Sequence, residues 1–217
     1  MLADINIFFY ISSLFFVKVG IFPKILCIFA LRMEYSKDNI TQMLALLHDL
    51  QGIDFVRQLK MITERREFFP LPSDPQILTV GGDNSEDFQP LLEAARKAVE
   101  HGYRVFILPN PKQFRTADYI FVRKGVYKLY DLKTISGSSS IGNRLKESIG
   151  QTNRVLLNIS TEYNPIALAR SIRSYFERNP QAIEVLVYKG RKSISVLRAD
   201  TINGASFFKY FVAKYIQ

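Results

Sequence analysis

Two short stretches, Ala117-Asp118-Tyr119 and Tyr130-Asp131-Leu132-Lys133, each set an aspartate among residues that otherwise read as strand. Between them lies Arg123-Lys124-Gly125-Val126. If Lys124-Gly125 is a two-residue hairpin turn, 123 pairs with 126 and 122 with 127, and Asp118 faces Asp131. A three-residue loop would offset the pair. Like charges directly opposite on one sheet face are destabilising. A purely structural hairpin therefore has no reason to hold them unless a cation or substrate compensates. On the second strand, period-two alternation puts Tyr127, Leu129, Asp131 and Lys133 on one face whatever the turn. Two carboxylates and a lysine brought together in this way have the signature of a site.

The charge of the chain points the same way. Its 217 residues carry a formal +9, and the stretch from 111 to 154 holds nine Lys/Arg against three acids, a net of +6. Such a surplus favours an anionic partner, nucleic acid or a membrane surface. A hydrophobic content of 47% is enough for a real core in one domain or one plus an appendage, and excludes a disordered chain. The single cysteine, Cys27, excludes an internal disulfide framework and a cysteine-based zinc site, and suits a reducing, cytoplasmic setting. His48 and His101 are too few and too far apart in sequence to suggest a histidine cluster.

Three segments follow from the pattern along the chain. Residues 1–32 are apolar but broken by Ser12-Ser13, Lys18 and Pro23-Lys24, with no run of the 18 residues a membrane span needs. They read as a weak signal anchor, as a buried helix pair, or as a start assigned too far upstream with Met33 as the working one; the last is favoured. A membrane enters only if the segment is genuine. Residues 33–75 form a helical extension. One helix carries Ile40, Met43, Leu44, Leu46, Leu47 and Leu50 up to Gly52, a second runs from about Asp54, and a proline-containing linker with a short strand at Ile77 to Val80 comes next. Residues 76–217 are the main domain. A helix near Ser85 has Phe88, Leu91, Leu92, Ala95, Ala98 and Val99 on its stripe, followed by a strand from Tyr103 to Leu108 and the two aspartate strands. A Gly137-Ser138-Ser139-Ser140 loop opens a helix from Ile141 to Gly150 with Ile141, Leu145, Ser148 and Ile149 inside. A strand from Asn153 to Ile159, a helix from Asn164 to Arg178, a hairpin turning at Gly190 and a terminal helix from Gly204 to Tyr215 complete an α/β (α+β) chain.

Helix, three strands, helix, strand, with Ala117-Asp118 at the second strand and Asp131-Leu132-Lys133 on the third, resembles the PD-(D/E)XK nuclease superfamily. Gly102-Tyr103, Asn110-Pro111, Ala117-Asp118-Tyr119, and Gly150-Gln151 leading into Arg154-Val155-Leu156-Leu157-Asn158 resemble more closely the C-terminal nuclease domain of contact-dependent growth inhibition toxins, across residues 88 to 197. The resemblance implies a restriction-endonuclease-like core with an added C-terminal helix and hairpin and an N-terminal helical extension. It also implies a metal-dependent endonuclease acting on nucleic acid, with tRNA or other RNA ahead of DNA and DNA still open, and leaves room for a cognate immunity protein. By the same resemblance, Gln151 matches a glutamine bordering the active site; read from its place alone it is equally a helix cap. The chain departs from the pattern at two points. Ala117 stands where the family has proline, and the nearest match to its helix glutamate, Glu93, falls opposite the apolar stripe and would face solvent.

The chemistry of the residues leads to the same reading. Mg²⁺ or Mn²⁺ takes oxygen ligands and keeps some of its waters, so Asp118 and Asp131 would be a minimal metal platform. Lys133, two residues from Asp131, would steady the charge on a reacting phosphate. Arg144 and the serines at 138–140 are candidate phosphate contacts. Two other readings stay open, a metal-independent ribonuclease of the colicin type and a non-catalytic nucleic-acid-binding protein. No Walker A loop, Gly-x-Ser-x-Gly elbow, dinucleotide fingerprint or His-Glu-x-x-His motif is present.

Overall fold

The computed structural model describes residues 37–80, 88–110, 116–137, 141–204 and 206–217, and Ile40–Gln217 forms one compact body. The elements are α1 (Lys37–Leu46), α2 (Gly52–Thr63), β1 (Phe68–Leu71), β2 (Asp74–Val80), α3 (Phe88–Glu100), β3 (Arg104–Ile107), β4 (Tyr119–Arg123) and β5 (Val126–Ile135). They continue with α4 (Ile141–Glu147), β6 (Arg154–Ile159), α5 (Pro165–Arg178), β7 (Glu184–Lys189), β8 (Lys192–Leu197), α6 (Arg198–Asn203) and α7 (Phe207–Ile216). This is a mixed α/β fold with seven helices among the described residues and one eight-stranded mixed sheet.

The strands lie in the sheet in chain order, β1 to β8. β3, β4 and β5 form an antiparallel meander, β6 is parallel to β5 and β7 to β6, and hairpins close both ends of the sheet. Parallel neighbours need a crossover. Helices α3, α4 and α5 supply the three crossovers, one each between β2 and β3, β5 and β6, and β6 and β7.

Strand alternation sends two sets of apolar side chains to the two faces. On one face, Ile77, Val105, Phe121, Tyr130, Leu156 and Leu186 pack with Leu92, Ala94, Ala95 and Ala98 of α3. The other face is covered by two helical groups. Leu78, Phe106, Ile120 and Leu129 meet α1 and α2, while Ile135, Val155, Leu157, Val185 and Val187 meet α4, α5 and α7. Leu129 and Ile135 point to the same side of β5 but belong to different cores. The residues between them, Asp131 and Lys133, therefore sit where one helical cover gives way to the other.

Several details differ from the sequence expectation, each for a physical reason. The stretch expected as a linker contains an edge hairpin, β1 with β2, despite Pro70 and Pro75. Proline lacks only the N–H; Pro70 lies on the edge strand β1, and Pro75 lies near the start of β2, before the residues that pair with β3. α4 ends at Glu147, so Ile149 leaves the inner stripe and is 45% exposed, while Ile141, Leu145 and Ser148 remain buried. A short helix, α6, follows β8 where none was expected. Residues 1–32 and the serines at 138–140, like Lys112 and Arg115, lie outside the described residues. Among the described residues, no helix is long and apolar enough to cross a membrane.

Candidate metal and phosphodiester site

The β4–β5 turn sets the site's register. Lys124 and Gly125 have φ of 49° and 75°, both in the left-handed region, as a two-residue type I′ turn requires. The ladder then pairs Arg123 with Val126 and runs to Tyr119 opposite Tyr130. Asp118 comes one step further, and there its side chain takes over from the backbone. The Asp118 N–H still donates to the Tyr130 carbonyl (2.9 Å), while the Leu132 N–H donates to Asp118 Oδ2 (2.6 Å). The Asp118 carbonyl is used on the other side, accepting from the Leu108 N–H at 2.9 Å. Asp118 is thus anchored to β3 and β5 at once, with its carboxyl aimed along the sheet face at Asp131.

The two carboxyls lie within hydrogen-bonding reach of each other. Asp131 is only 2% exposed. Lys133 Nζ hydrogen-bonds its Oδ1 at 3.1 Å and lies 3.0 Å from Oδ2 at ion-pair distance. Oδ2 itself is buried and, among the described residues, accepts no well-formed hydrogen bond. Burial, then the charge of Asp118, push Asp131 up to about 7, against the pull of Lys133. Asp118 is also raised, by burial, which outweighs the Leu132 N–H and the Lys133 charge. One buried and one half-buried acid with a single ammonium are short of positive charge. A shared proton makes up the deficit below neutral pH, and a divalent cation would make it up above.

The other expected residues are placed differently. Gln151 lies beyond the end of α4, where its Nε2 donates to the Glu147 carbonyl at 2.8 Å, so its amide caps the helix. It does not join the carboxylate pair but lines a neighbouring cavity together with Ala117 and Leu129. Arg144 is half exposed and pairs with Glu147 at 3.1 Å. Glu93 is exposed on α3, which covers the opposite face, and supplies no third ligand. Among the described residues, no three His, Cys, Asp or Glu side chains converge on a metal-sized site. Two carboxylates are what the chain offers, and any further oxygen donors would be water or substrate.

Two polar features were not foreseen. Tyr175 of α5 is buried near Asp131, with Asn179 Nδ2 donating to its hydroxyl at 3.3 Å. Its position in the apolar stripe of a helix reads as core and gives no signal. On the far face, Glu184 is 2% exposed and meets Lys128 Nζ at 2.8 Å, Ser195 Oγ at 2.7 Å and Arg154 Nε at 3.4 Å. Burial pushes Glu184 up, but the bonds from Lys128 and Ser195, the Lys128 charge and the Tyr130 hydroxyl outweigh it, and its carboxyl stays below the usual range.

No family model, curated protein or solved structure matches the chain.

Proposed function

We propose that this chain is a metal-dependent nuclease that hydrolyses phosphodiester bonds, with RNA, tRNA in particular, as substrate. The observation that carries the reading is the pair of Asp118 and Asp131 carboxyls on one sheet face, the first half-buried and the second buried, sharing a single lysine. The surrounding strands follow the order helix, three strands, helix, strand from α3 to β6, with Asp131-Leu132-Lys133 on the third strand, which supports a restriction-endonuclease-like core. The surplus of Lys/Arg between 111 and 154 supports an anionic polymer as substrate.

In this reading Asp118 and Asp131 hold Mg²⁺ or Mn²⁺, and the residues present fit it, since they offer two convergent hard oxygen donors that share only one ammonium. When bound, the ion supplies polarisation of the phosphoryl oxygen and a water of lowered pKa. The Leu132 N–H fixes the orientation of Asp118, so the platform needs no rearrangement. Lys133 Nζ sits against Asp131 and holds negative charge developing on the scissile phosphate.

The test is to incubate the purified chain and its Asp131→Ala variant with total RNA and with plasmid DNA, with and without Mg²⁺. Cleavage of RNA that needs the metal and Asp131 is the expected result. Cleavage that survives full chelation by EDTA would favour the metal-independent ribonuclease. Binding that persists in Asp131→Ala, without cleavage by either protein, would favour a nucleic-acid-binding role.

A further inference from the structure

We infer that the cavity beside the carboxylate pair binds a nucleobase, so that the nucleotide at the scissile phosphate is unpaired. The location depends on the nuclease reading, whereas the lining carries its own chemistry. The cavity has a volume of about 960 Å³ and lies between the α1–α2 junction and the chain that leads from α4 into β6. That is at the upper end of the range for small-molecule sites.

The lining is unlike the rest of the chain. Although 23% of all residues are charged, none of the seventeen lining residues is Asp, Glu, Lys or Arg. A phosphate pocket would carry arginine or lysine. Here the polar groups include five side-chain amides, from Gln51, Gln151, Asn153, Asn179 and Gln181. A carboxamide presents a donor and an acceptor side by side, which is the pattern on the edge of a base. These amides also have capacity to spare. Gln151 uses its Nε2 on Glu147 and Asn179 its Nδ2 on Tyr175, leaving both carbonyls, while Asn153 accepts from Arg154 through Oδ1 and leaves its NH₂. Among the described residues, Gln51 and Gln181 make no side-chain hydrogen bond. Apart from His48, Thr116 and Thr152, the rest of the lining is apolar or glycine, with Phe55 half-buried beside Leu44, Leu47 and Leu129 as a surface on which a base could stack.

The position matches the reach of one nucleotide. Leu129 in the cavity wall stands two residues before Asp131 on β5, about 6.6 Å at ~3.3 Å per residue, and Ala117 adjoins Asp118. A phosphate at the carboxylates therefore places its own base at the cavity mouth. A stacked, paired base is not free to enter, so loops and single strands fit and continuous duplex does not.

The experiment uses free nucleosides, which carry no phosphate, and is done in EDTA, so that neither metal nor catalysis enters. Titration calorimetry of the full chain with adenosine, guanosine, cytidine and uridine is expected to show at least one binding in the ~0.1–1 mM range. Ribose 5-phosphate serves as the control without a base, and is expected to bind more weakly. Gln51→Leu and Gln181→Leu, both at exposed positions, are each expected to weaken the preferred nucleoside about tenfold or less. Ala45→Trp fills the cavity from the exposed side of α1 and is expected to abolish binding; circular dichroism confirms that it folds, and if it does not, the two leucine variants decide alone. Failure of every nucleoside to bind overturns the inference, as does binding that all three folded variants leave unchanged. RNA cleavage without nucleoside binding would remove the pocket and leave the nuclease reading standing, and nucleoside binding without cleavage would do the reverse.

Discussion

The two faces of the sheet each bury an acid against a lysine, with opposite electrostatic results. On one face Asp118 and Asp131 share Lys133; burial raises both acids, and the charge of Asp118 adds to it for Asp131, which is pushed up to about 7. On the other, Glu184 has Lys128 and Arg154 at ion-pair distance and a hydroxyl from Ser195, and its carboxyl is lowered. Burial acts in the same direction on all three acids, so the count of cations and donors decides the sign. The Glu184 carboxylate has its charge matched by Lys128 and Arg154 and links β5, β6, β7 and β8. The Asp118–Asp131 pair is incomplete, which is costly for a structural element and expected of one that awaits a cation.

The largest effect that separates the two faces is catalytic. Asp131→Asn is expected to lower RNA cleavage by about 10³-fold or more, roughly 4 kcal/mol of transition-state stabilisation, measured under single-turnover conditions in Mg²⁺. Glu184→Gln should leave the rate near that of the parent. If Glu184→Gln costs as much activity as Asp131→Asn, the assignment of roles to the faces is wrong.

Stability should respond in reverse order. Glu184→Gln leaves Lys128 and Arg154 without their carboxylate and is expected to destabilise the chain by about 2–3 kcal/mol in urea unfolding at pH 7. Asp131→Asn removes one of two repelling charges and is expected to be neutral or stabilising in EDTA, provided the amide can face Asp118. A loss of stability in Asp131→Asn comparable to that of Glu184→Gln would show that the pair is structural.

The two sites should also differ in pH dependence. Asp131 is raised from 3.8 to about 7, so the folded state binds the extra proton, and its contribution is full below about pH 4 and lost as pH rises towards 7. Glu184 is lowered from 4.5, so its contribution is present above that value and is lost as pH falls below it. Unfolding curves in EDTA are expected to lose stability from pH 4 to 7 in the parent but less so in Asp131→Asn, and Glu184→Gln should remove part of the loss on the acid side. Added Mg²⁺ should raise the melting temperature more at pH 8 than at pH 5, and this increment should vanish in Asp131→Asn.

The smallest expected effect concerns the turn that sets the register. Lys124 holds φ of 49°, which costs a non-glycine residue roughly 1 kcal/mol, so Lys124→Asn should stabilise by about 0.5–1 kcal/mol and leave cleavage unchanged. A change in cleavage would mean that the Lys124 side chain, and not only the turn, serves the site.

Local chemistry was enough to read much of this protein. The Lys124-Gly125 loop, the alternation along β5 and the facing of Asp118 and Asp131 all depend on residues within fourteen positions of one another, where turn geometry and the two-residue period dictate the outcome. The alternation of helices and strands from α3 to β8 was legible from apolar periodicity for the same reason. Of the edge hairpin at 68–80 only the strand at 77–80 was legible, because prolines argue against a strand unless it is known to lie at an edge, and edge position is a property of the assembled sheet. For Gln151 a helix cap and a place at the site border were both open from the sequence, and the cap follows from α4 stopping at Glu147 and so leaving a carbonyl to cap. Glu184 and Lys128 are 56 positions apart and read separately as two ordinary charged strand residues. Only the parallel stacking of β5, β6 and β7 brings them side by side, because sheet neighbours are chosen by burial of whole faces and not by nearby sequence. The sequence by itself thus determined the opposed aspartates and their lysine. Tertiary structure decided that they lie buried where two helical covers meet, beside an uncharged cavity, and that the charge on the opposite face is already balanced.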